Sequence, residues 1–223
     1  MSRPRVVCKC GGAVAGGSAA TIRALAARAD LCVVHGAGPQ ISARMEEAGI
    51  PVEFVAGRRV TTAAALEVVR VALAEVNAAL CAALGPCALG LQGDEIGLRA
   101  IPVPELGLVG DPLPSRPRSL VYALAAGRLP VVTPLASGPL NVNADEAASA
   151  LAVGLGAERI VFVTDVPGVI RAGSVLAAIE ADEADELLED GTFEGGIVPK
   201  LRAAVAAARS GVRAEIGETA VLA

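Results

Sequence analysis

Lys9 and Lys200, the two lysines of the sequence, each stand where an ammonium group is costly unless an anion meets it. Lys9 lies in an apolar run directly before Gly11-Gly12, and a charge buried without a partner is expensive. Lys200 follows Pro199 in what reads as the first turn of a helix, where the dipole favours anions over cations. Either lysine could snorkel to water. Both placements become sensible together if the amines face a phosphate, with the helix N-terminus adding its own N–H groups. A second polar cluster, Asn141-Val142-Asn143-Ala144-Asp145, sits between apolar neighbours. In extended backbone Asn141, Asn143 and Asp145 project the same way. The chemistry this combination suits is phosphate transfer.

Other residues fit that chemistry less specifically. The turns Gly11-Gly12, Gly36-Ala37-Gly38 and Gly195-Gly196 can bring backbone N–H groups close to phosphate oxygens. The phosphate-loop pattern ending in Gly-Lys-Ser/Thr is absent, and Gly36-Ala37-Gly38 lacks the third glycine of a dinucleotide fingerprint. Arg59, between a strand and a helix, can grip a carboxylate with two parallel bonds, or pair with Arg58 on the surface. His35, the single histidine, is read as a packed strand-end residue, since no serine or cysteine pairs evidently with it. Asp165 ends a buried strand, where ligands of α/β folds gather, or is an ordinary turn aspartate.

The elements that must position these residues follow from pattern. Residues 5–10 and 31–35 read as buried strands, each stopped by glycines and followed by a helix, over 19–29 with Ser18 as cap and over 40–48. This rhythm predicts an α/β fold with a mainly parallel sheet. Further strands are expected at 50–55, 87–91, 98–103, 129–135, 159–164, 212–216 and 219–222. Helices are expected from Thr61 or Thr62 to 84, from 118 towards Gly127, over 145–155 with Asn143 as cap, over 183–190 and over 199–209. The helix ending at Leu84 has only a narrow polar stripe, so it is either central or a subunit contact. A lobe boundary is placed near Ser137-Gly138-Pro139.

Composition bounds the partners. The 223 residues are 53% hydrophobic but only 2% aromatic, so the core is built of Val, Leu, Ile and Ala. A net charge of −5 argues against nucleic acid, leaving any anionic ligand to a few local cations and N–H groups. Five cysteines without regular spacing suggest reduced thiols and a cytoplasmic protein. Cys8 and Cys10 read as alternate strand residues rather than metal ligands, and no metal site is expected. No eighteen-residue apolar run suggests a membrane span. Lys9 interrupts the apolar stretch after Arg3 and Arg5, so a signal peptide is not expected.

Seven pieces of the sequence, in order, resemble the amino-acid kinase superfamily, most closely its N-acetylglutamate kinase family. They are Lys9-Cys10-Gly11-Gly12, Val34-His35-Gly36-Ala37-Gly38-Pro39-Gln40-Ile41, Gly57-Arg58-Arg59-Val60-Thr61, Leu106-Gly107-Leu108-Val109-Gly110, Asn141-Val142-Asn143-Ala144-Asp145, Thr164-Asp165-Val166-Pro167-Gly168 and Gly195-Gly196-Ile197-Val198-Pro199-Lys200. Cys10 departs from the leucine and Ala37 from the glycine common in the family. The resemblance implies an αβα sandwich around a mainly parallel central sheet. Residues 1–137 would form an acyl-amino-acid-binding lobe and 138–223 an ATP-binding lobe of one continuous fold. It implies catalytic roles for Lys9, Lys200 and Asp145, and substrate contacts from Ala37, Gly38, Arg59 and Asn141. Nucleotide contacts would come from Gly11, Gly12, Gly36, Thr164, Asp165, Gly168, Gly195 and Gly196. The activity implied is phosphorylation of the side-chain carboxylate of N-acetyl-L-glutamate by ATP, in arginine biosynthesis. Mg²⁺ would be carried mainly by the nucleotide, and the protein would act as a cytoplasmic homodimer. Alternatives are a kinase for carrier-protein-bound aminoadipate or glutamate, and a non-catalytic amino-acid or nucleotide sensor. The first strand lies close to Met1 and the sequence stops soon after Gly217, so the N-terminal helix of arginine-inhibited hexamers and the last helix and strand of relatives are not expected.

Overall fold

The computed structural model describes residues 3–11, 15–164 and 166–223. Eight strands make one sheet: β1 (Arg5–Cys10), β2 (Asp30–His35), β3 (Ala88–Gln92), β4 (Leu129–Thr133), β5 (Arg159–Val163), β6 (Ala178–Glu180), β7 (Arg213–Ile216) and β8 (Thr219–Leu222). Their spatial order is β6-β8-β7-β5-β1-β2-β4-β3. Pairing is parallel except between β7 and β8, where a tight turn at Gly217 reverses the chain. The helices are α1 (Ala15–Ala26), α2 (Gly38–Glu47), α3 (Ala63–Leu84), the single turn α4 (Gly93–Ile96), α5 (Arg118–Ala125), α6 (Ala144–Leu155), α7 (Ala181–Glu189) and α8 (Ile197–Arg209).

Alternation along the strands sorts their side chains onto two faces. Val6, Cys8, Cys10, Leu31 and Val33 pack with Ile22 of α1 and with Leu80 and Leu84 of α3. Val7, Cys32, Val34, Ile160 and Phe162 pack on the other face with Leu120 of α5, Leu151 of α6 and Leu201 of α8. The result is the expected αβα sandwich. Lys9 is in phase with Val7, so the strand's own period aims it towards α6 and α8. Cys8 and Cys10 are in phase with each other on the opposite face, and burial pushes the Cys10 thiol up to about 11. A smaller cluster of Ile41, Met45, Leu66, Val69 and Leu73 joins α2 to the first half of α3.

Several sequence expectations are revised. The first helix starts at Ala15 instead of 19, because the small residues before Ala19 continue it, and Ser18 lies buried within it instead of capping it. The strand expected at 98–103 shrinks to Ala100–Pro102, paired with Gly110–Pro112 outside the main sheet. Its prolines cannot donate to a ladder, which suits an edge hairpin. The strand expected at 50–55 is reduced to Phe54–Val55, paired with Arg58–Arg59. Residue 137 falls between the paired short strands Leu135–Ala136 and Leu140–Asn141. β1 to β4 form one flank of the sheet and β5 to β8 the other, joined by the parallel β1–β5 ladder. Among the described residues no helix is long and apolar enough to cross a membrane.

Candidate active site

A cleft of about 370 Å³ opens beyond the C-terminal ends of β1 and β2, between the first turns of α2 and α6 and the hairpin at residues 54–59. Each side chain in it is placed by a local rule. Asn143 caps α6: its Oδ1 accepts from the N–H groups of Asp145 at 2.8 Å and Glu146 at 3.3 Å, while its Nδ2 donates to the Gly57 carbonyl at 3.3 Å. The cap fixes the first turn of α6 and with it Asp145, which is only 6% exposed. Lys9 reaches Asp145 Oδ1 at 2.9 Å from the central strand, and Lys200 reaches the same oxygen at 3.3 Å from the first turn of α8. Both lysines of the sequence therefore meet on one carboxylate. Burial pulls the Lys200 ammonium below its ordinary value; Asp145 opposes this, and the charge of Lys9 reinforces it. Two buried ionic groups and the largely buried Lys200, with one net positive charge between them, form an anion-seeking cluster.

Arg59 is held differently. It is 6% exposed, yet no carboxylate of the described residues pairs with it. Its Nη2 donates to Ser42 Oγ at 2.9 Å and to the Gly38 carbonyl at 3.2 Å, and its Nη1 lies 3.3 Å from Met45 Sδ. The guanidinium carbon stands 4.6 Å from the centre of the Phe54 ring, within cation–π range. Burial holds this group below its ordinary value. A desolvated guanidinium supported only by neutral groups is prepared for an incoming carboxylate. Asn141 stands close by, donating from Nδ2 to Thr61 Oγ1 at 3.0 Å, which in turn donates to the Arg59 carbonyl at 2.8 Å. α2 begins at Gly38 behind Ala37 with no side-chain cap and with Pro39, which has no N–H, in its first turn, so the Ala37 and Gly38 N–H groups can meet an anion at the cleft.

His35 is fully buried at the end of β2. The Asn77 amide donates to the Val131 carbonyl at 2.9 Å, which identifies its nitrogen, and that nitrogen lies 3.1 Å from His35 Nε2. Nε2 must therefore accept, leaving Nδ1–H to donate to the Gly36 carbonyl at 3.3 Å. Burial lowers the imidazole to about 4, so it is neutral near pH 7. The packed strand-end histidine expected from the sequence is what the fold contains.

The cleft thus gathers Lys9, Gly11, Gly36, Ala37, Gly38, Arg59, Asn141 and Asp145, with Lys200 joined through Asp145. Thr164, Gly168, Gly195 and Gly196 do not line it. Gly168 packs against the β7–β8 hairpin, where an added Cβ would lie 2.5 Å from Thr219 Oγ1. Gly195 has φ of +68°, favouring glycine, and Gly196 precedes α8 without a side-chain cap. Around both glycines an added Cβ would meet open space. Gly12 and Asp165 lie outside the described residues. Sequence reasoning missed Phe54, Ser42 and Met45 as the seat of Arg59; no spacing signal links these positions. Arg58 and Arg59 are not a surface pair, since Arg59 is buried and Arg58 is engaged by Glu146 and Asp111.

A sequence model of the amino acid kinase family matches residues 4–217. The acetylglutamate kinase of Rubrobacter xylanophilus is 42% identical over 95% of this chain and 87% of its own. That of Roseiflexus castenholzii is 43% identical over 82% of this chain and 75% of its own. Among solved structures, the smu.665 protein of Streptococcus mutans UA159 superposes with a TM-score of 0.89, at 29% identity over 98% of each chain. The carbamate kinase of Giardia shares the fold, with a TM-score of 0.74 at 17% identity over 100% of this chain and 99% of that one.

Proposed function

The chain belongs to the amino acid kinase family, and we propose that it is an acetylglutamate kinase, transferring the γ-phosphoryl group of ATP to the side-chain carboxylate of N-acetyl-L-glutamate. The observation that carries the reading is the meeting of Lys9 and Lys200 on Asp145, in a cleft that also holds the unpaired Arg59. Acetylglutamate kinases at about 40% identity support the choice of acceptor and a place in arginine biosynthesis.

The acceptor carboxylate has an ordinary pKa of about 4.3, so it is already ionised at neutral pH and needs no general base. Neutral, buried His35 is consistent with that. The physical obstacle is bringing one anion onto another, and phosphoryl transfer is mostly positioning and charge stabilisation. Lys9 and Lys200 supply positive charge where it accumulates, and Asp145 holds both amines in place. Arg59 grips the acceptor's α-carboxylate. Asn141 uses its nitrogen on Thr61, leaving its carbonyl for the N–H of the acetylated amine. In this reading residues 1–137 hold the acceptor and 138–223 hold ATP. The uncapped start of α8 behind Gly195-Gly196, together with Gly11, Gly36, Thr164 and Gly168, would meet the nucleotide, and the family resemblance adds Gly12 and Asp165 to that set. Mg²⁺ would be carried mainly by the nucleotide's phosphate oxygens and water; among the described residues no group of three His, Cys, Asp or Glu side chains could hold a metal ion. The setting is cytoplasmic. The assembly is a homodimer through α3, supported by Val71, which is 48% exposed on that helix; light scattering reads the assembly, and a monomer refutes it.

The test is a coupled assay for ADP with hydroxylamine trapping of the acyl phosphate. Turnover with N-acetyl-L-glutamate and Mg-ATP is the expected result. Turnover only with a carrier-protein-bound acid, or ATP binding without turnover, would replace this reading with another.

A further inference from the structure

The hairpin that presents Arg59 is small. Phe54–Val55 pair with Arg58–Arg59 across a turn in which Ala56 and Gly57 have φ of 48° and 79°. A two-stranded hairpin is marginal alone, and little apolar burial secures this one: Phe54 is 55% and Val55 52% exposed. Polar ties take over at its far end. Arg58 donates to Glu146 Oε1 from Nε at 3.1 Å and from Nη2 at 3.0 Å, and Nη2 also reaches Asp111 Oδ1 at 2.9 Å. Glu146 is the neighbour of Asp145 in the first turn of α6. The Arg58 and Glu146 side chains are each 22% exposed, so water screens the pair less than a surface ion pair. Burial raises the Glu146 carboxyl, and Arg58 opposes that rise.

We propose that Arg58 is a positioning residue for phosphoryl transfer: its fork onto Glu146 locks the Arg59 hairpin to the turn of α6 that carries Asp145. The proposal rests on the acetylglutamate kinase reading. Two peptide links and one ion pair then connect the guanidinium that grips the acceptor to the carboxylate that aligns the two lysines. Releasing the fork leaves the core clusters untouched, because the hairpin contributes none of their buried residues. It does loosen Arg59 relative to Asp145, leaving the 3.3 Å bond from Asn143 Nδ2 to the Gly57 carbonyl as the hairpin's remaining hydrogen bond to that turn among the described residues, and a small misplacement costs a positioned reaction heavily. Arg58 thus acts through Arg59 and does not itself touch the acceptor.

The test compares the wild type with Arg58→Met, Arg58→Lys, Glu146→Gln and the double variant Arg58→Met/Glu146→Gln. The readouts are kcat, both KM values and the melting temperature. Arg58→Met is expected to raise KM for N-acetyl-L-glutamate about tenfold, with KM for Mg-ATP within about twofold. Arg58→Lys restores part of the loss, Glu146→Gln gives a smaller rise of about threefold, and the double variant is no worse than Arg58→Met alone. An unchanged KM for the acceptor, equal losses for both substrates, or singles that multiply in the double variant overturns the proposal. So does an Arg58→Met protein that fails to fold, since that makes Arg58 a stability residue. A wild type that does not turn over N-acetyl-L-glutamate overturns the parent reading as well; an active wild type with an unaffected Arg58→Met overturns this inference alone.

Discussion

Two buried cation sites lie within one cleft, and they are built on opposite plans. At the base, Lys9 and Lys200 share Asp145, so each ammonium rests on a counter-ion. At the rim, Arg59 is equally buried but is supported by Ser42, the Gly38 carbonyl, Met45 and the Phe54 ring, all neutral. A self-paired cluster gives up little when the ground-state substrate arrives and has charge to redirect as the phosphoryl group moves. An unpaired guanidinium gains most when a carboxylate first arrives. Under the proposed function, the difference would give the lysines to the transition state and Arg59 to binding.

Kinetics can break that assignment. Lys200→Ala is expected to lower kcat about 10²- to 10³-fold with KM for the acceptor within about threefold; a matching rise in KM would make the lysine a ground-state contact. Arg59→Ala is expected to do the reverse, raising KM for the acceptor about 30- to 10³-fold, the equivalent of about 2–4 kcal/mol. Its kcat at saturation should stay within about threefold, and Arg59→Lys should rescue little because the planar fork is lost. A third basic site sharpens the contrast, because His35 is kept neutral instead of charged. Its folded pKa of about 4 lies below its unfolded value of about 6.5. The unfolded chain therefore takes up a proton first, and this contribution to stability is lost as pH falls from 6.5 towards 4. Urea unfolding at pH 7 and pH 4.5 should show wild type losing about 2–3 kcal/mol more than His35→Asn; parallel losses would remove the buried neutral imidazole. The smallest effect is expected at the cap. Asn143→Ala should cost about 1 kcal/mol of stability by thermal unfolding, and no loss would mean that Asp145 is held by its ion pairs alone.

Much of this was legible in the sequence because the governing rules are local. A lysine in an apolar strand, a cation in a helix's first turn and an asparagine before Asp-Glu each announce a constraint within a few residues. Strand period, once the strand is seen in the sheet, accounts for the face that Lys9 uses. The seat of Arg59 was not legible: Ser42, Met45 and Phe54 come from a helix and a hairpin whose juxtaposition is tertiary. The Arg58–Glu146 fork spans distant chain segments and has no pattern to betray it. Short pairs such as Ile170–Arg171 with Ser174–Val175 hold too few residues for alternation to register. At Gly168 packing and ligand contact cannot be separated by pattern, since an added Cβ would lie 2.5 Å from Thr219 Oγ1 whatever else the glycine meets.

Because the sequence contains no lysine besides Lys9 and Lys200, every side-chain amine of these 223 residues sits on Asp145. An amine-directed reagent thus has no surface lysine to consume it. Reductive methylation with isotope-labelled formaldehyde would put its side-chain labels in the cleft and nowhere else, giving two resonances that report the base of the site directly. With side chains only 8% and 12% exposed, the rate of labelling becomes a clock for how often the cleft opens.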